Sequence, residues 1–326
     1  MDSITQIVLG VAVAHVGLSR KTNWKKTVLL GALVGTIPDL DIFIAKFFSD
    51  PLTEVEFHRS ISHSVLFFVF LSGIIGYLIK SWFKETSFKL LYITIFLILL
   101  THSLLDIFTT WGTQLLWPFP KKFALKSVFV VDVFYTIPLL ILVILGLKKQ
   151  SKRITYVGLL ISSLYLIWGL IAQNTIQNKS KADFENQFSE KILNVTAKPT
   201  FSNSILWNVI METSNGFYLS DRSLLEDHKM NFQYFPRNEE LIQHISDQNI
   251  ERLKAISENQ YCITENEKGL VFNDLRFGLL KNEPNDIQFA FSYQLTPTKN
   301  GLKVVEMPKD KRDGKKLLQN IWNRIF

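Results

Sequence analysis

Six apolar segments fill the first 173 residues, and they restrict the fold of this chain more than any other feature. They cover residues 4–18, 27–48, 61–79, 88–110, 127–147 and 154–172. A helix needs about 20 apolar residues to cross a bilayer, so the last four segments are predicted to span a membrane. The first segment is short and the second is interrupted by Gly35 and Pro38, which predicts two short or broken helices.

Residues from 175 onward have the pattern of a small soluble domain. Strands are predicted at residues 205–212, 217–220, 261–264, 270–277 and 286–295, and helices at 238–246, 250–258 and 312–325. The predicted fold is therefore an α-helical membrane domain, residues 1–174, followed by a small α+β domain, residues 175–326. The membrane domain has about four full spans plus two short or broken N-terminal helices, and residues 173–182 are the predicted linker.

The connecting loops predict how the helices are oriented. The loops at residues 19–26, 80–87 and 148–153 contain ten Lys and Arg residues, whereas the loops at 49–60 and 111–126 contain four. Positively charged loops favour the cytoplasm, so the second group of loops and the C-terminal domain are predicted to be extracytoplasmic.

The net charge of +7 is explained by the same flanking residues. No basic stripe with interleaved aromatic residues is present, so nucleic-acid binding is not expected. The single cysteine, Cys262, excludes an intrachain disulfide and a cysteine-based zinc site.

Acidic and histidine residues lie inside or beside the apolar segments, where ionisable side chains are costly and usually functional. Asp2 is the weakest of these signals. The stronger candidates lie near the predicted outer ends of their segments and are Asp39, Asp41, His58, His63, His102, Asp106 and Asp132. Histidine and aspartate suit zinc and related ions, so these residues are predicted to gather around a divalent metal.

The candidates differ in strength. The spacing of His102 and Asp106 puts both side chains on one helix face, where they can share an ion or where Asp106 can orient a ligating His102. The structural alternative is a neutral histidine bonded to a buried acid. His63 begins an apolar run, whereas a surface position would also explain His58. The alternative for Asp132 is an ion pair with Lys126.

Metal-activated water is the chemistry that these residue types support. The catalytic candidates are Asp41 or Asp132, as the carboxylate that takes a proton from water, and Arg59, whose planar guanidinium suits an anionic group. Lys121 and Lys122 are further candidates for holding an anionic head group. The alternative for Asp41 is a solvated helix end. Motifs of serine hydrolases, zinc proteases and P-loop proteins are absent from the sequence.

The most specific feature is the order of the short motifs. They are Met1-Asp2-Ser3-Ile4-Thr5-Gln6, Pro38-Asp39-Leu40-Asp41, His58-Arg59-Ser60-Ile61-Ser62-His63-Ser64, His102-Ser103-Leu104-Leu105-Asp106, Thr109-Thr110-Trp111-Gly112-Thr113-Gln114, Trp117-Pro118-Phe119, Val131-Asp132, Leu206-Trp207 and Asp274-Leu275-Arg276-Phe277-Gly278. This ordered set resembles the YdjM-like family of predicted membrane-bound metal-dependent hydrolases over most of the chain.

The resemblance implies an integral protein of a bacterial inner membrane, with the His and Asp candidates above as metal or catalytic positions. A histidine is expected near position 6 in this family, and this chain has Gln6 there, so its site is expected to hold fewer ions. The family also resembles zinc-dependent phospholipase C and P1-type nucleases distantly. That likeness implies phosphoester substrates by analogy.

Three hypotheses for function follow. The first is a membrane-bound metal-dependent hydrolase acting on a phosphoester or lipid-type amphipathic substrate, with membrane lipids as partners. Zinc is favoured by the histidines, and manganese or magnesium by the carboxylates. The second is a transporter or proton-coupled carrier, although a transport path needs groups across the full depth of the membrane. The third is a non-catalytic scaffold stabilised by a metal.

Overall fold

A computed structural model describes residues 1–309 except 21, 49, 227–228, 284–285 and 299–300, together with residues 319, 322, 324 and 325. The described chain forms two compact units. Unit 1 comprises Met1–Phe47, Phe57–Ile171 and Phe201–Ser204, and unit 2 comprises Phe48–Glu56, Ala172–Thr200 and Ile205–Phe326. Most of the helix predicted at residues 312–325 lies outside the described residues.

Nine α-helices are present in the described part of the chain. In order, they are α1 (Ser3–Gly17), α2 (Trp24–Thr36), α3 (Asp41–Ala45), α4 (Pro51–Phe57), α5 (Val65–Ile79), α6 (Phe88–Ile107), α7 (Val133–Lys148), α8 (Lys152–Glu185) and α9 (Gln248–Ile256). Short 3-10 turns at Pro38–Leu40 and Ile61–His63 precede α3 and α5. The residues predicted as a linker, 173–182, are part of α8.

The number of full membrane spans is lower than predicted. Among the described residues, three helical segments are long and apolar enough to cross a bilayer, namely Val65–Trp82, Phe88–Ile107 and Lys152–Glu185. A fourth span exists only if α2 and the residues through Ala45, which bend by 46°, are taken together. The predicted span at 127–147 falls short because α7 has 16 residues. Its start is fixed at Val133, since the Asp132 carboxylate caps the helix by accepting from the Phe134 and Tyr135 N–H groups.

Helix α5 illustrates why unit 1 belongs in a membrane. Its apolar side chains point outward along its whole length, with Phe70 64%, Tyr77 78% and Leu78 69% exposed. Its inner face packs on α6, where the Tyr92 hydroxyl donates to the Val69 carbonyl. Such a helix would expose a large apolar area to water, whereas lipid tails solvate it without cost.

Glycines allow α1 and α2 to pack backbone against backbone. A Cβ placed on Gly31 would lie 2.4 Å from the Val11 Cα, and a Cβ on Gly10 would lie 2.2 Å from the Gly31 carbonyl oxygen. At Gly35 the nearest atom would be the Gln6 carbonyl oxygen, at 2.9 Å. In a membrane no hydrophobic force drives helices together, because lipid tails are as apolar as the side chains. Close packing through small residues is therefore a common way for membrane helices to associate. It brings the end of α2 next to the start of α1.

Unit 2 is rich in β-structure, with two antiparallel four-stranded sheets. The strands are β1 (Asn194–Pro199), β2 (Leu206–Glu212), β3 (Gly216–Ser223), β4 (Gln233–Pro236), β5 (Tyr261–Asn266), β6 (Gly269–Glu283), β7 (Asp286–Thr298) and β8 (Gly301–Glu306), and each sheet pairs them in chain order. The helix predicted at 238–246 is a single 3-10 turn, Glu239–Leu241, because Asn238 adopts a left-handed conformation that does not start an α-helix. Helix α9 follows, capped by Asp247.

A short segment of the N-terminal half, Phe48–Glu56, belongs to unit 2. Leu52 is fully buried in a cluster that includes Leu253, Tyr261 and Phe272. Arg252 of α9 donates from Nε and Nη2 to the two Glu56 carboxylate oxygens at 2.9 and 2.8 Å. This segment is therefore held by an apolar anchor and by a bidentate ion pair, the strong form of such a pair.

We expect Gly31→Ala to destabilise unit 1, because its Cβ would meet backbone atoms of α1 that cannot turn away. Overpacking of this kind costs about 1–3 kcal/mol. Thermal unfolding of the detergent-purified protein measures the effect. Gly73→Ala in α5 is the matched control, since its Cβ would meet nothing closer than 3.8 Å. Equal melting temperatures for both variants would show that α1 and α2 do not depend on this contact.

We expect Leu52→Ala to destabilise unit 2 by about 2–5 kcal/mol, the usual cost of a cavity at a buried leucine. The loss of β-sheet circular dichroism on heating reports this unit. Leu225→Ala removes a leucine that is 62% exposed, and we expect less than about 0.5 kcal/mol from it. A Leu52→Ala protein as stable as the Leu225→Ala protein would refute the anchoring role of the segment.

Candidate metal centre

Four side chains from three separate parts of unit 1 bring ligand atoms together. They are Asp39, His63, His102 and Asp106. One potential metal-ligand atom from each residue lies within 4.8 Å of the other three. Asp39 comes from the 3-10 turn after α2, His63 from the turn before α5, and the other two from the last turns of α6. The group thus lies where α5 begins and α6 ends, at one end of the predicted spans.

The spacing of these atoms matches the edges of a tetrahedron around one ion. His63 Nε2 lies 3.3 Å from Asp106 Oδ2 and 3.5 Å from Asp39 Oδ1. His102 Nε2 lies 3.5 Å from each of the same two oxygens. Metal–ligand bonds of about 2.0–2.2 Å, as for zinc, require edges of about 3.3–3.6 Å. Four of the six edges are therefore already at the required length.

Three of these four ligand atoms are buried and lack a hydrogen-bond partner. They are His63 Nε2, His102 Nε2 and Asp106 Oδ2. Each unsatisfied buried polar atom costs about 1–3 kcal/mol, and more when it is charged. Together they would consume a large part of a typical stability of about 5–15 kcal/mol. A shared cation would remove this cost, which is the strongest physical reason to treat the group as a metal site.

The second nitrogen of each histidine is fixed so that Nε2 faces the group. His102 Nδ1 donates to the Gly35 carbonyl oxygen at 2.7 Å. His63 Nδ1 lies 2.9 Å from Ser62 Oγ and 3.5 Å from Asp41 Oδ2. A carbonyl or carboxylate partner holds the proton on Nδ1, which leaves the Nε2 lone pair free for a metal.

Asp41 organises the loop that carries His63. One of its oxygens accepts from the Arg59 N–H at 2.9 Å and from Ser62 Oγ at 2.7 Å. The other lies 2.9 Å from His58 Nδ1. Asp41 is outside the group of four ligands, and it supports them by orienting His63.

Asp106 uses its two oxygens for different purposes. Oδ2 faces the histidines, whereas Oδ1 accepts from Gln6 Nε2 at 3.1 Å and lies 3.3 Å from Arg59 Nη2. The Met1 amino group also contacts Oδ1. A histidine was expected near position 6. The residue there, Gln6, contacts the site only indirectly, through its hydrogen bond to Asp106.

Arg59 has a strained backbone and a buried side chain. Its φ is +60°, in the left-handed region that non-glycine residues rarely adopt. The conformation is held by the Asp41 carboxylate on its N–H and by the Gln114 N–H on its carbonyl oxygen. Its guanidinium reaches Asp106 and donates to Thr109 Oγ1 at 2.8 Å. Strain of about 1–3 kcal/mol at such a residue is typical of functional sites.

The carboxylates make this region favourable for positive charge. Burial opposes protonation of His63, but the nearby carboxylates of Asp106, Asp39 and Asp41 outweigh it and raise the pKa of His63 to about 10. The predicted apolar segment, 61–79, includes His63, but the helical span observed in the structure begins at Val65, so His63 lies outside it. The three carboxylates thus favour positive charge at this position.

Besides Asp41, two more of the seven candidates lie apart from the four ligands. His58 bonds to Asp41, and its ring centre is 6.1 Å from that of His63. Asp132 is the N-terminal cap of α7 and accepts from the Tyr165 hydroxyl at 2.8 Å. Asp2, the weakest signal, caps α1 in the same way. This role for Asp132 was not predicted from the sequence, although its position directly before an apolar helix is typical of a cap.

Several contributors were not singled out from the sequence. The Gly35 carbonyl, Ser62 and Thr109 hold ligands or Arg59 in place. Ser62 and Thr109 lie within motifs that were quoted, but a hydroxyl in a motif gives no sign of its partner. The Gly35 carbonyl is a backbone group and carries no sequence signal.

The fold and the site define a membrane protein whose helical half carries a His/Asp group able to hold a metal ion. The chain belongs to the YdjM inner membrane protein family, whose sequence model matches residues 1–176. This confirms the resemblance to that family. The family and the apolar helices indicate an inner membrane protein. The motifs at 206–207 and 274–278 lie outside the matched residues.

A curated relative adds similarity beyond the family match. The uncharacterized protein YfhP of Bacillus subtilis (strain 168) is 26% identical over 227 residues, which is 67% of each chain. No solved structure matches this chain.

We expect Asp41→Asn to weaken binding of a divalent metal ion by about 10–100-fold, the usual effect of removing a group that orients a ligand. Competition with a chromophoric chelator measures the affinity of the detergent-purified protein. Asp132→Asn is the matched control, because asparagine caps a helix as well as aspartate does. Its affinity should equal that of wild type. Equal losses in the two variants would favour a larger site that includes Asp132.

Proposed function

We propose that the chain is a membrane-bound metal-dependent hydrolase that acts on a phosphoester of a lipid or similar amphipathic molecule. The supporting observation is that three buried atoms without hydrogen-bond partners, from His63, His102 and Asp106, lie together with the Asp39 carboxylate. Zinc fits two imidazoles and two carboxylates at these spacings, and manganese would also accept them. A bound divalent ion would lower the pKa of a water molecule bound to it and so supply a hydroxide nucleophile.

His58 is the residue best placed to move a proton. Its Nδ1 bonds to Asp41 at 2.9 Å, and its side chain is 22% exposed, whereas that of His63 is fully buried. A carboxylate that fixes one imidazole nitrogen leaves the other to exchange protons with a substrate, as in catalytic triads. In this proposal Asp41 orients the base, rather than being the base itself.

The anion-binding role falls on the lysines of the loop at 111–126. Lys122 Nζ lies 3.4 Å from the His58 carbonyl oxygen, and Lys121 and Lys122 are both exposed. Arg59 is only 3% exposed and is paired with Asp106, so it is better suited to positioning that ligand.

The surroundings of the site suit an amphipathic substrate. Phe119 in the same loop is 69% exposed and directly precedes Pro120 and the two lysines. In α3, next to Asp39 and Asp41, Phe43 is 62% exposed. Apolar side chains beside cations match a molecule with an anionic head and a hydrocarbon tail.

A metal-stabilised scaffold is the alternative that one observation favours. Four protein ligands are typical of structural zinc sites, whereas catalytic sites keep one position open. The donor that could yield is Asp39, whose side chain is 17% exposed while His63, His102 and Asp106 are buried. Turnover would then require water or substrate to enter beside or in place of Asp39.

We expect the detergent-purified full-length protein to contain about one divalent ion per chain by elemental analysis. His63→Ala and His102→Ala should each lower the metal content below one tenth, because each removes a ligand. His244→Ala is the matched control, since His244 is exposed in unit 2. Wild-type metal content in the two ligand variants, with normal folding, would refute the metal site.

Hydrolysis is tested separately with bis(p-nitrophenyl) phosphate and with a phospholipid labelled in its head group. We expect His58→Ala to lose at least about 100-fold in turnover while keeping its metal, the effect of removing a general base. Metal at full content with no hydrolysis of either probe would favour the scaffold. Ion flux into proteoliposomes without hydrolysis would favour a transporter.

A further inference from the structure

A polar cavity lies in unit 1 at the opposite end of the helices from the metal group. It has a volume of about 50 Å³ and is lined by residues of α1, α2, α8 and the loops at 19–23 and 149–151. The residues that carry the argument are His15, Arg20, Trp24 and Lys152. Gln6 touches the metal group and His15 lies nine residues later on α1, so the cavity is about 14 Å along the helix from that group.

The cavity is positively charged. Arg20 and Lys152 line it together with His15, and none of the lining residues that the structure describes is acidic. The two loops next to it, at 19–26 and 148–153, contain eight Lys and Arg residues and no Asp or Glu. Like charges this close repel one another, and an anion between them would remove the repulsion.

Two helices begin at this cavity. Trp24 is the first residue of α2, which has 13 residues, and Lys152 is the first residue of α8, which has 34. Both helices therefore direct the positive ends of their dipoles toward the cavity. Lys152 already donates to the Val16 and Leu18 carbonyl oxygens at the end of α1, which offsets the opposite dipole of that helix. An ammonium has three donors, so one remains for a ligand.

The size and depth of the cavity identify the kind of anion. One water molecule requires about 10–15 Å³ of such space, so the cavity holds roughly the four oxygens of a phosphate group. Trp24, 49% exposed, lines it, and Trp82, 63% exposed, receives a hydrogen bond from Lys26 on its carbonyl oxygen. Exposed tryptophans beside lysines mark the depth of lipid head groups.

We propose that this cavity binds a phosphate-type anion, carried either by a lipid head group or by a soluble phosphate. It is separate from the metal group and does not depend on the proposed hydrolase activity. Arg20 is the main ligand, because its fork binds phosphate through paired donors. His15, whose Nδ1 lies 2.8 Å from Thr155 Oγ1, and Lys152 form the base of the site.

The test uses full-length protein in detergent and native mass spectrometry with phosphatidylglycerol, phosphatidylcholine or inorganic phosphate. We expect tighter binding of either phosphatidylglycerol or inorganic phosphate than of phosphatidylcholine. Arg20→Gln should weaken that binding about tenfold, as expected for loss of a charge-assisted contact. Lys149→Gln removes the same charge from a neighbouring loop position that does not line the cavity, and it should have an effect below about twofold.

Each outcome decides the proposal. Preference for phosphatidylglycerol that is lost in Arg20→Gln supports the site with a lipid as the source. Binding of inorganic phosphate with the same dependence on Arg20, and no preference among lipids, supports it with a soluble source. Equal losses in Arg20→Gln and Lys149→Gln would mean diffuse attraction by the basic loops and would overturn the proposal. Binding of neither anion above the phosphatidylcholine level would also overturn it.

Discussion

The burial of Asp106 at the end of a membrane helix is the constraint on which the rest of the site depends. A carboxylate removed from water is tolerated only when its charge is compensated. Here one oxygen is compensated by Gln6, Arg59 and the Met1 amino group, and the other is aimed at His63 and His102. The first set of contacts is complete within the protein. The second would be completed by a proton or a metal ion between Asp106 Oδ2 and the two imidazoles.

The packing of α1 against α2 and α6 makes that compensation available. Glycines let the backbones of α1 and α2 touch, so Gln6 reaches Asp106 and the Gly35 carbonyl reaches His102. A wider helix pair would leave these polar groups facing lipid or each other without partners. The same backbone contact between α1 and α2 thus sets both the packing of the helices and the orientation of the ligand side chains.

Unit 2 includes part of the N-terminal half of the chain. Phe48–Glu56 is held by Leu52 and by the pair of Glu56 with Arg252. Two residues after Glu56 comes His58, the proposed base, and then the strained Arg59. The loop of the site therefore follows directly in sequence on a segment that belongs to unit 2.

The sequence by itself determined the helical and β-rich halves and most members of the site. Long apolar runs have few alternatives to helices in a membrane, and an ionisable residue within them is conspicuous because it is costly. That reasoning found Asp39, His63, His102 and Asp106. The exact ends of the helices were harder to predict from the sequence. For example, α7 starts where Asp132 caps it and not where the apolar run begins.

Only the tertiary structure decided which candidates meet. Asp41, His58 and Asp132 have the same residue types and similar surroundings in sequence as the four ligands, yet they serve as an orienting group, a partner of that group and a helix cap. The basic cavity at His15 and Lys152 was likewise visible only as flanking charge. Distances between residues far apart in the chain depend on helix packing, and a pattern along one chain does not encode those distances locally.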